Sequence, residues 1–138
     1  MDVPEDIEVF DKRKAPVVQV PLVTLQAKGN FSFNQAAMDA LGNPEGVEYL
    51  YSPSEKILGF RPADPNDPHA YRVRRQARSL NYQSAGIAFR SHYGIPKGQA
   101  LRYRAELVED TLFVDLKDSA KDVTHRRRQA GSSESQSA

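Results

Sequence analysis

The chain writes one short unit twice, and that repetition constrains its fold more than any other feature. Setting Gly42 on Gly94, an offset of 52, brings Ala36 onto Ala88, Leu41 onto Tyr93, Pro44 onto Pro96, Gly46 onto Gly98 and Tyr51 onto Tyr103. Three extra residues in the second hairpin then set Ile57 opposite Leu112. A helix stop, Gly-x-Pro-x-Gly and a hairpin thus recur in one register, the mark of an internal duplication. The unit is too small to stand alone, because a helix of about two turns is marginal in water and a lone hairpin is scarcely stable. Two copies in one chain of 138 residues can lend each other strands and so complete one core. The expected fold is therefore mainly β with short helices, a pseudo-twofold β-barrel built from two strand-helix-hairpin repeats and closed without free edges. Its core should set Phe31, Phe33, Leu41, Leu50, Ile57 and Phe60 against Phe89, Leu101, Leu112 and Val114.

Local signals place the elements. VVQVPLVTLQ, residues 17–26, is rich in β-branched side chains and reads as a strand with Pro21 at an edge or bulge. Phe31-Ser32-Phe33 alternates with period two, Asn34 is a good N-cap, and a helix over 35–41 is ended by Gly42. Strands over 47–51 and 57–61 close a hairpin at Ser52-Pro53-Ser54-Glu55. The second unit should carry strands over 71–76 and 80–83, a helix over 86–93 ended by Gly94, and strands over 99–107 and 111–116. The chain then divides into a mobile arm (1–15), a first repeat (16–62), an extended Pro-rich connector (63–70), a second repeat (71–116) and a tail (117–138). The tail has no apolar periodicity and is rich in Ser, Gln and charge, which predicts disorder.

Net charge is only +1, but its distribution is uneven. Residues 1–70 hold 6 basic and 11 acidic side chains, residues 71–104 hold 8 basic and none acidic, and residues 105–138 hold 5 basic and 7 acidic. The central window comprises Arg72, Arg74, Arg75, Arg78, Arg90, Lys97, Arg102 and Arg104, interleaved with four tyrosines. With no carboxylate in the window, local pairing cannot neutralise it, and it projects a potential that attracts polyanions. Seven of the eight are Arg, whose planar fork suits phosphates and guanine edges and favours nucleic acid as the polyanion.

Residues 23–62, VTLQAKGNFSFNQAAMDALGNPEGVEYLYSPSEKILGFRP, resemble the AbrB/MazE/SpoVT family of swapped-hairpin β-barrel DNA-binding domains. Lys28-Gly29, the Leu41-Gly42 stop, Gly46 and the terminal Arg61-Pro62 fit its pattern. Asn34 stands where the family usually has Pro, Met38 where it often has Arg and Val47 where it often has Asp. In the second copy Gly86 occupies the Pro position, Arg90 the helix Arg position, and Tyr93-Gly94-Ile95 matches Leu-Gly-Ile. The resemblance covers about 90 of the 138 residues. It implies an intertwined fold that binds double-stranded DNA through its first strands and adjoining loops, here as a pseudo-dimer within one chain. Carried over by position, the DNA-binding residues are Lys28 in the first copy and Arg72, Arg74, Arg75, Arg78 and Arg90 in the second. Strand alternation puts Arg72 and Arg74 on one face and Arg75 on the other. Arg90 has a second reading, as a structural partner beside the barrel. The scant charge of the first copy's corresponding strand implies asymmetric docking or a homodimer that pairs two basic faces.

Other classes find little purchase. His69, His92 and His125 lack ligand spacing, and Asp64-x-x-Asp67-x-His69 sits among three prolines in the connector, so no metal or other cofactor is expected. Ser84-Ala85-Gly86 lacks the second glycine of a nucleophile elbow, and Gly-x-Pro-x-Gly punctuates a helix rather than cradling phosphate, so no enzyme activity and no small-molecule substrate are expected. His92, near a helix end, is expected to be partly buried. The chain has no cysteine and no apolar run near the ~20 residues of a membrane span, and its charged N-terminus is not a secretory signal, which points to a cytoplasmic protein. The alternative to DNA is a non-catalytic protein-interaction module whose basic face meets an acidic protein. Arg126-Arg127-Arg128 in the tail can add phosphate contacts or solubility.

Overall fold

A computed structural model describes residues 3–7, 20–76 and 81–124. The β-branched run yields a short strand, β1 (Leu22–Leu25), and the alternating Phe-Ser-Phe becomes β2 (Phe31–Phe33). Asn34 then ties three elements together. Its Oδ1 accepts from Ala37 N at 2.9 Å, capping α1 (Gln35–Leu41), and from Leu22 N at 3.0 Å, while its Nδ2 donates to Val20 O at 2.9 Å. Gly42 ends α1 in the left-handed region, at φ 84°. The hairpin follows as β3 (Gly46–Ser52) and β4 (Ile57–Pro62). The second unit supplies β5 (Tyr71–Arg72), β6 (Arg74–Arg75), β7 (Tyr82–Ser84), α2 (Ile87–Tyr93) ended by Gly94, β8 (Leu101–Arg104), β9 (Glu106–Val108) and β10 (Thr111–Asp115).

The described residues are mainly β, with two antiparallel sheets and two short helices. One sheet has the order β11-β8-β1-β2-β7-β6, where β11 is Lys121–Asp122, and the other the order β5-β3-β4-β10-β9. The expected closed barrel is not formed among the described residues. The reason lies in two bends: the strand expected over 71–76 breaks at Val73, and the one expected over 99–107 breaks at Ala105. At these bends Val73 N donates to Glu45 O and Ala105 N to Pro21 O, both at 3.0 Å, and on either side each segment joins a different sheet. A strand that changes sheets at a bend makes a corner between two layers.

The core lies between the layers. Val23, Leu25, Phe31 and Phe33 from the six-stranded sheet meet Val47, Leu58, Phe60, Leu112 and Val114 from the five-stranded one, with Ala37, Met38 and Leu41 of α1 closing one side. Phe31 stands at the centre, edge-on to Tyr49 at 5.1 Å, Phe60 at 5.0 Å and Phe89 at 6.1 Å, geometry that favours aromatic pairs beyond their buried area. Leu50 and Ile57, expected in this core, are only half-buried. The register Leu50↔Gly59↔Phe113 puts Leu50 on the opposite face from Tyr49, Phe60 and Leu112, and Ile57 shares that face. There a Cβ on Gly59 would lie 3.2 Å from Phe113 Cε1, so the ring crosses the glycine.

Two other segments depart from expectation. The connector is turned rather than extended: Asp64 Oδ1 accepts from Asn66 N and Asp67 Oδ1 from His69 N, each at 2.9 Å. The expected tail contributes β11, which pairs with β8, and Val123 N donates to Ala100 O at 2.8 Å, so the chain is held through this stretch. Residues 125–138, with the Arg triplet, lie outside the described residues, as does most of the N-terminal arm. At the other end of the fold β9 is an edge strand with Leu107 and Val108 exposed.

Gly86 is the N-cap of α2 and makes no side-chain cap. It is glycine because of close approach: an added Cβ would lie 2.7 Å from Gly29 O and 2.7 Å from the Phe31 ring. Neither neighbour can yield without moving backbone or core. Gly86→Ala is therefore expected to lower stability by about 1–3 kcal/mol, read from the urea midpoint at an unchanged m-value.

Candidate nucleic-acid interface

Register decides which basic side chains share a surface. Val23, Phe33 and Tyr103 point inward, so their neighbours Thr24, Ser32 and Arg102 lie on the outer face, where Ser32 is covered and buried, and the pairings continue that row to Lys121 on one side and to Gln83 and Arg74 on the other. The outer face therefore reads Lys121, Arg102, Thr24, Ser32, Gln83, Arg74 across six strands, with Arg104 beside Leu22 one step along. At about 4.8 Å per strand, Arg102 and Arg74 stand roughly 19 Å apart on the backbone. Between them, Gln83 donates to Gln26 Oε1 at 2.9 Å and accepts from Gln76 at 3.3 Å, an amide belt over the strands. Cations flank a polar, hydrogen-bonding centre.

Nothing in the described residues neutralises these cations internally. Ion pairs join Arg61 to Glu48 and Lys117 to Asp115, whereas none joins Arg72, Arg74, Arg75, Arg102 or Arg104 to a carboxylate among the described residues. An unpaired cationic surface costs little while solvated and is open to an anion.

The residues expected from sequence fall into separate places. Lys28 is exposed in the β1–β2 turn, which approaches Lys97. Arg72 and Arg74 are both exposed and line one shallow cleft, even though the bend at Val73 assigns them to different sheets. Arg75 is exposed and opposite Tyr82, one step from Arg74. Arg78 lies outside the described residues. Arg102, Arg104 and Lys121 were not among the expected contacts. Alternation about Tyr103 could have found the two arginines, but nothing in the charged tail signalled that Lys121 would join the sheet.

Arg90 is a correction: only 1% exposed, it cannot meet a phosphate on the surface. Its guanidinium lies inside the core edge, where Nη1 donates to Gln26 O at 2.7 Å and Asn30 O at 3.3 Å and Nη2 donates to Pro96 O. Its Cζ stands 5.9 Å from the Phe31 centroid, over the ring, and burial lowers its pKa, partly offset by Tyr103. The guanidinium thus fastens the β1–β2 turn, which carries Lys28, to the loop after α2, which carries Lys97. A cation held by carbonyl dipoles fixes loop geometry without a carboxylate partner.

Beside the sheet lies an aromatic hollow of about 780 Å³ between α2 and the connector, lined by Tyr49, Tyr51, Tyr71, Phe89, His92 and Tyr93 among others. His92 is exposed, not partly buried as expected, and meets Tyr93 edge-on at 4.6 Å. The Tyr49 hydroxyl donates to Ala85 O at 2.5 Å and lies 2.7 Å from Ser84 Oγ. Burial raises its pKa far above the usual tyrosine range, the Ser84 bond opposing the shift. Among the described residues no group of three or more His, Cys, Asp or Glu side chains could hold a metal ion, and no helix is long and apolar enough to cross a membrane. Comparison with family models, curated proteins and solved structures finds no match.

Arg90→Lys keeps the charge but loses the fork that spans three carbonyls. It should lower stability by about 2 kcal/mol or more, a loss that persists at high salt because the carbonyl bonds are screened little. Urea unfolding at low and high ionic strength checks both statements.

Proposed function

We propose that this chain is a non-catalytic DNA-binding protein, a regulator that docks duplex DNA on the outer face of its six-stranded sheet. The observation that carries this reading is the row Lys121, Arg102, Thr24, Ser32, Gln83, Arg74, cationic at both ends and polar at the centre, with no internal carboxylate on its arginines among the described residues. Arginines so placed suit phosphate contacts, and the threonine and glutamine between them suit base edges in a major groove about 12 Å wide. Lys28 extends the basic surface beyond the strands at the turn fastened by Arg90.

The AbrB-like tandem reading is part of the same proposal. It draws support from the pairing pattern, in which β1·β2 has its counterpart in β6·β7, β3·β4 in β9·β10 and β1·β8 in β5·β3, while β2·β7 and β4·β10 are each their own counterpart. Exchange of the two halves leaves those pairings unchanged, as intramolecular hairpin swapping requires, and among the described residues β11·β8 alone lacks a counterpart. The helix ends match as well, each a left-handed glycine at the same offset. Arg72, Arg74 and Arg75 occupy the position of the first strand in the second copy, and the surplus of charge there over the first copy makes docking asymmetric.

Fluorescence anisotropy with labelled random-sequence duplex across a salt series tests the reading. Wild-type affinity should fall linearly on a log–log plot, and Arg72→Glu with Arg74→Glu should weaken binding and flatten the slope by about 0.9 for each phosphate no longer neutralised. Arg102→Glu with Arg104→Glu should act in the same direction. Binding unaffected by either pair removes the sheet face from the interface. Failure to bind any duplex returns the basic surface to the other reading, an acidic protein partner.

A further inference from the structure

Ala70 and Tyr71 line both the aromatic hollow and a second, smaller cleft of about 430 Å³, which Arg72, Arg74, Asn30, Gln83, Ser84 and Ala85 complete. Tyr71 is the wall between them. Its ring lies parallel to that of Tyr49, with centroids 4.2 Å apart and planes 9° from parallel, whereas the ring contacts around Phe89 and Tyr93 are edge-on or tilted. Tyr71 lines the smaller cleft together with Arg72 and Arg74, and Tyr49 does not. A two-ring stack thus ends beside a cleft lined by two exposed arginines that no carboxylate among the described residues pairs.

We infer that this cleft takes an unpaired nucleobase against Tyr71, as the third ring of the stack, with the flanking phosphates on Arg72 and Arg74. This rests on the nucleic-acid reading above and names the state of the strand that the site prefers. Base–aromatic stacking tolerates any base, and a duplex offers its base faces only at its ends, so a base must leave the helix to reach Tyr71. The shallow cleft is of a size that admits one small ring system with its sugar at its edge. Asn30 commits its carbonyl oxygen to Gly86 N at 3.3 Å and leaves its NH2 without a protein acceptor among the described residues, a donor for a base carbonyl. The Tyr49 hydroxyl, anchored on Ala85 O, fixes the first ring and through it the tilt of the second.

The test compares a labelled oligothymidine with an abasic oligonucleotide of equal length and charge, using the full chain at one salt concentration. Oligothymidine should bind about tenfold more tightly. Tyr71→Leu should erase that preference while leaving the phosphate-driven affinity, and Tyr71→Phe should retain it. Matched urea midpoints establish that both variants are folded. Equal affinity for the two strands, or a preference that survives Tyr71→Leu, overturns the inference. Thymidine monophosphate binding as tightly as the oligomer also overturns it, in favour of a free-nucleotide pocket. If both single strands fail to bind while duplex binds, the stacking inference falls and the duplex reading stands; if no nucleic acid binds, both fall.

Discussion

Of the four strand pairs that cross between the halves among the described residues, β2 with β7 and β4 with β10 determine what the rest of the chain can do, while β1 with β8 and β3 with β5 complete the two sheets. Through the first, Phe31 comes opposite Ser84 and under α2; through the second, Phe60 comes opposite Leu112 and Leu58 opposite Val114. Each half alone would leave half of its ring cluster in water, at roughly 25 cal/mol per Å² of apolar surface, and its helix of 7 residues would lack a platform. The exposed cations therefore depend indirectly on apolar contacts between distant parts of the chain. Arg102 and Thr24 are neighbours only because β8, from the second half, lies against β1, from the first.

The inner and outer surfaces divide the labour of the arginines. Arg90 is buried, gives its donors to backbone carbonyls and leaves Nε unpaired among the described residues, a feature for which the structure offers no further partner. Arg72, Arg74 and Arg104 remain in solvent without carboxylate partners among the described residues. One residue type serves both ends because its fork can satisfy several carbonyls at once when buried and a phosphate when exposed.

Much of the fold was legible because the signals were local. Asn34 and Gly42 set the ends of α1, Gly94 ended α2, and alternation in Phe31-Ser32-Phe33 gave the inward and outward sides of β2. The bends at Val73 and Ala105 were not legible, since neither residue is a glycine or proline and both bends come from hydrogen bonds to Glu45 and Pro21, far away in sequence. For the same reason Leu50 and Ile57 looked like core: hydrophobicity marks them as apolar, and only the register across Gly59 shows which face they occupy. At the candidate site Arg72 and Arg74 were legible from charge and spacing. Arg90 was not, because a basic residue on a short helix carries no mark of burial; it takes the carbonyls of Gln26, Asn30 and Pro96 to draw it inside. Lys121 was hidden by its polar surroundings.

The open margin at β9 has its own consequence. Leu107 and Val108 are exposed on a strand that has no neighbour beyond it among the described residues, an arrangement that invites another chain to add itself. Glu106, Glu109 and Asp110 are exposed on and beside the same strand. Two copies approaching margin to margin would crowd like charges together before any backbone bond could form. The acidic surplus of the last quarter of the chain thus acts as a fence against self-adhesion, leaving the cationic side the stickier one.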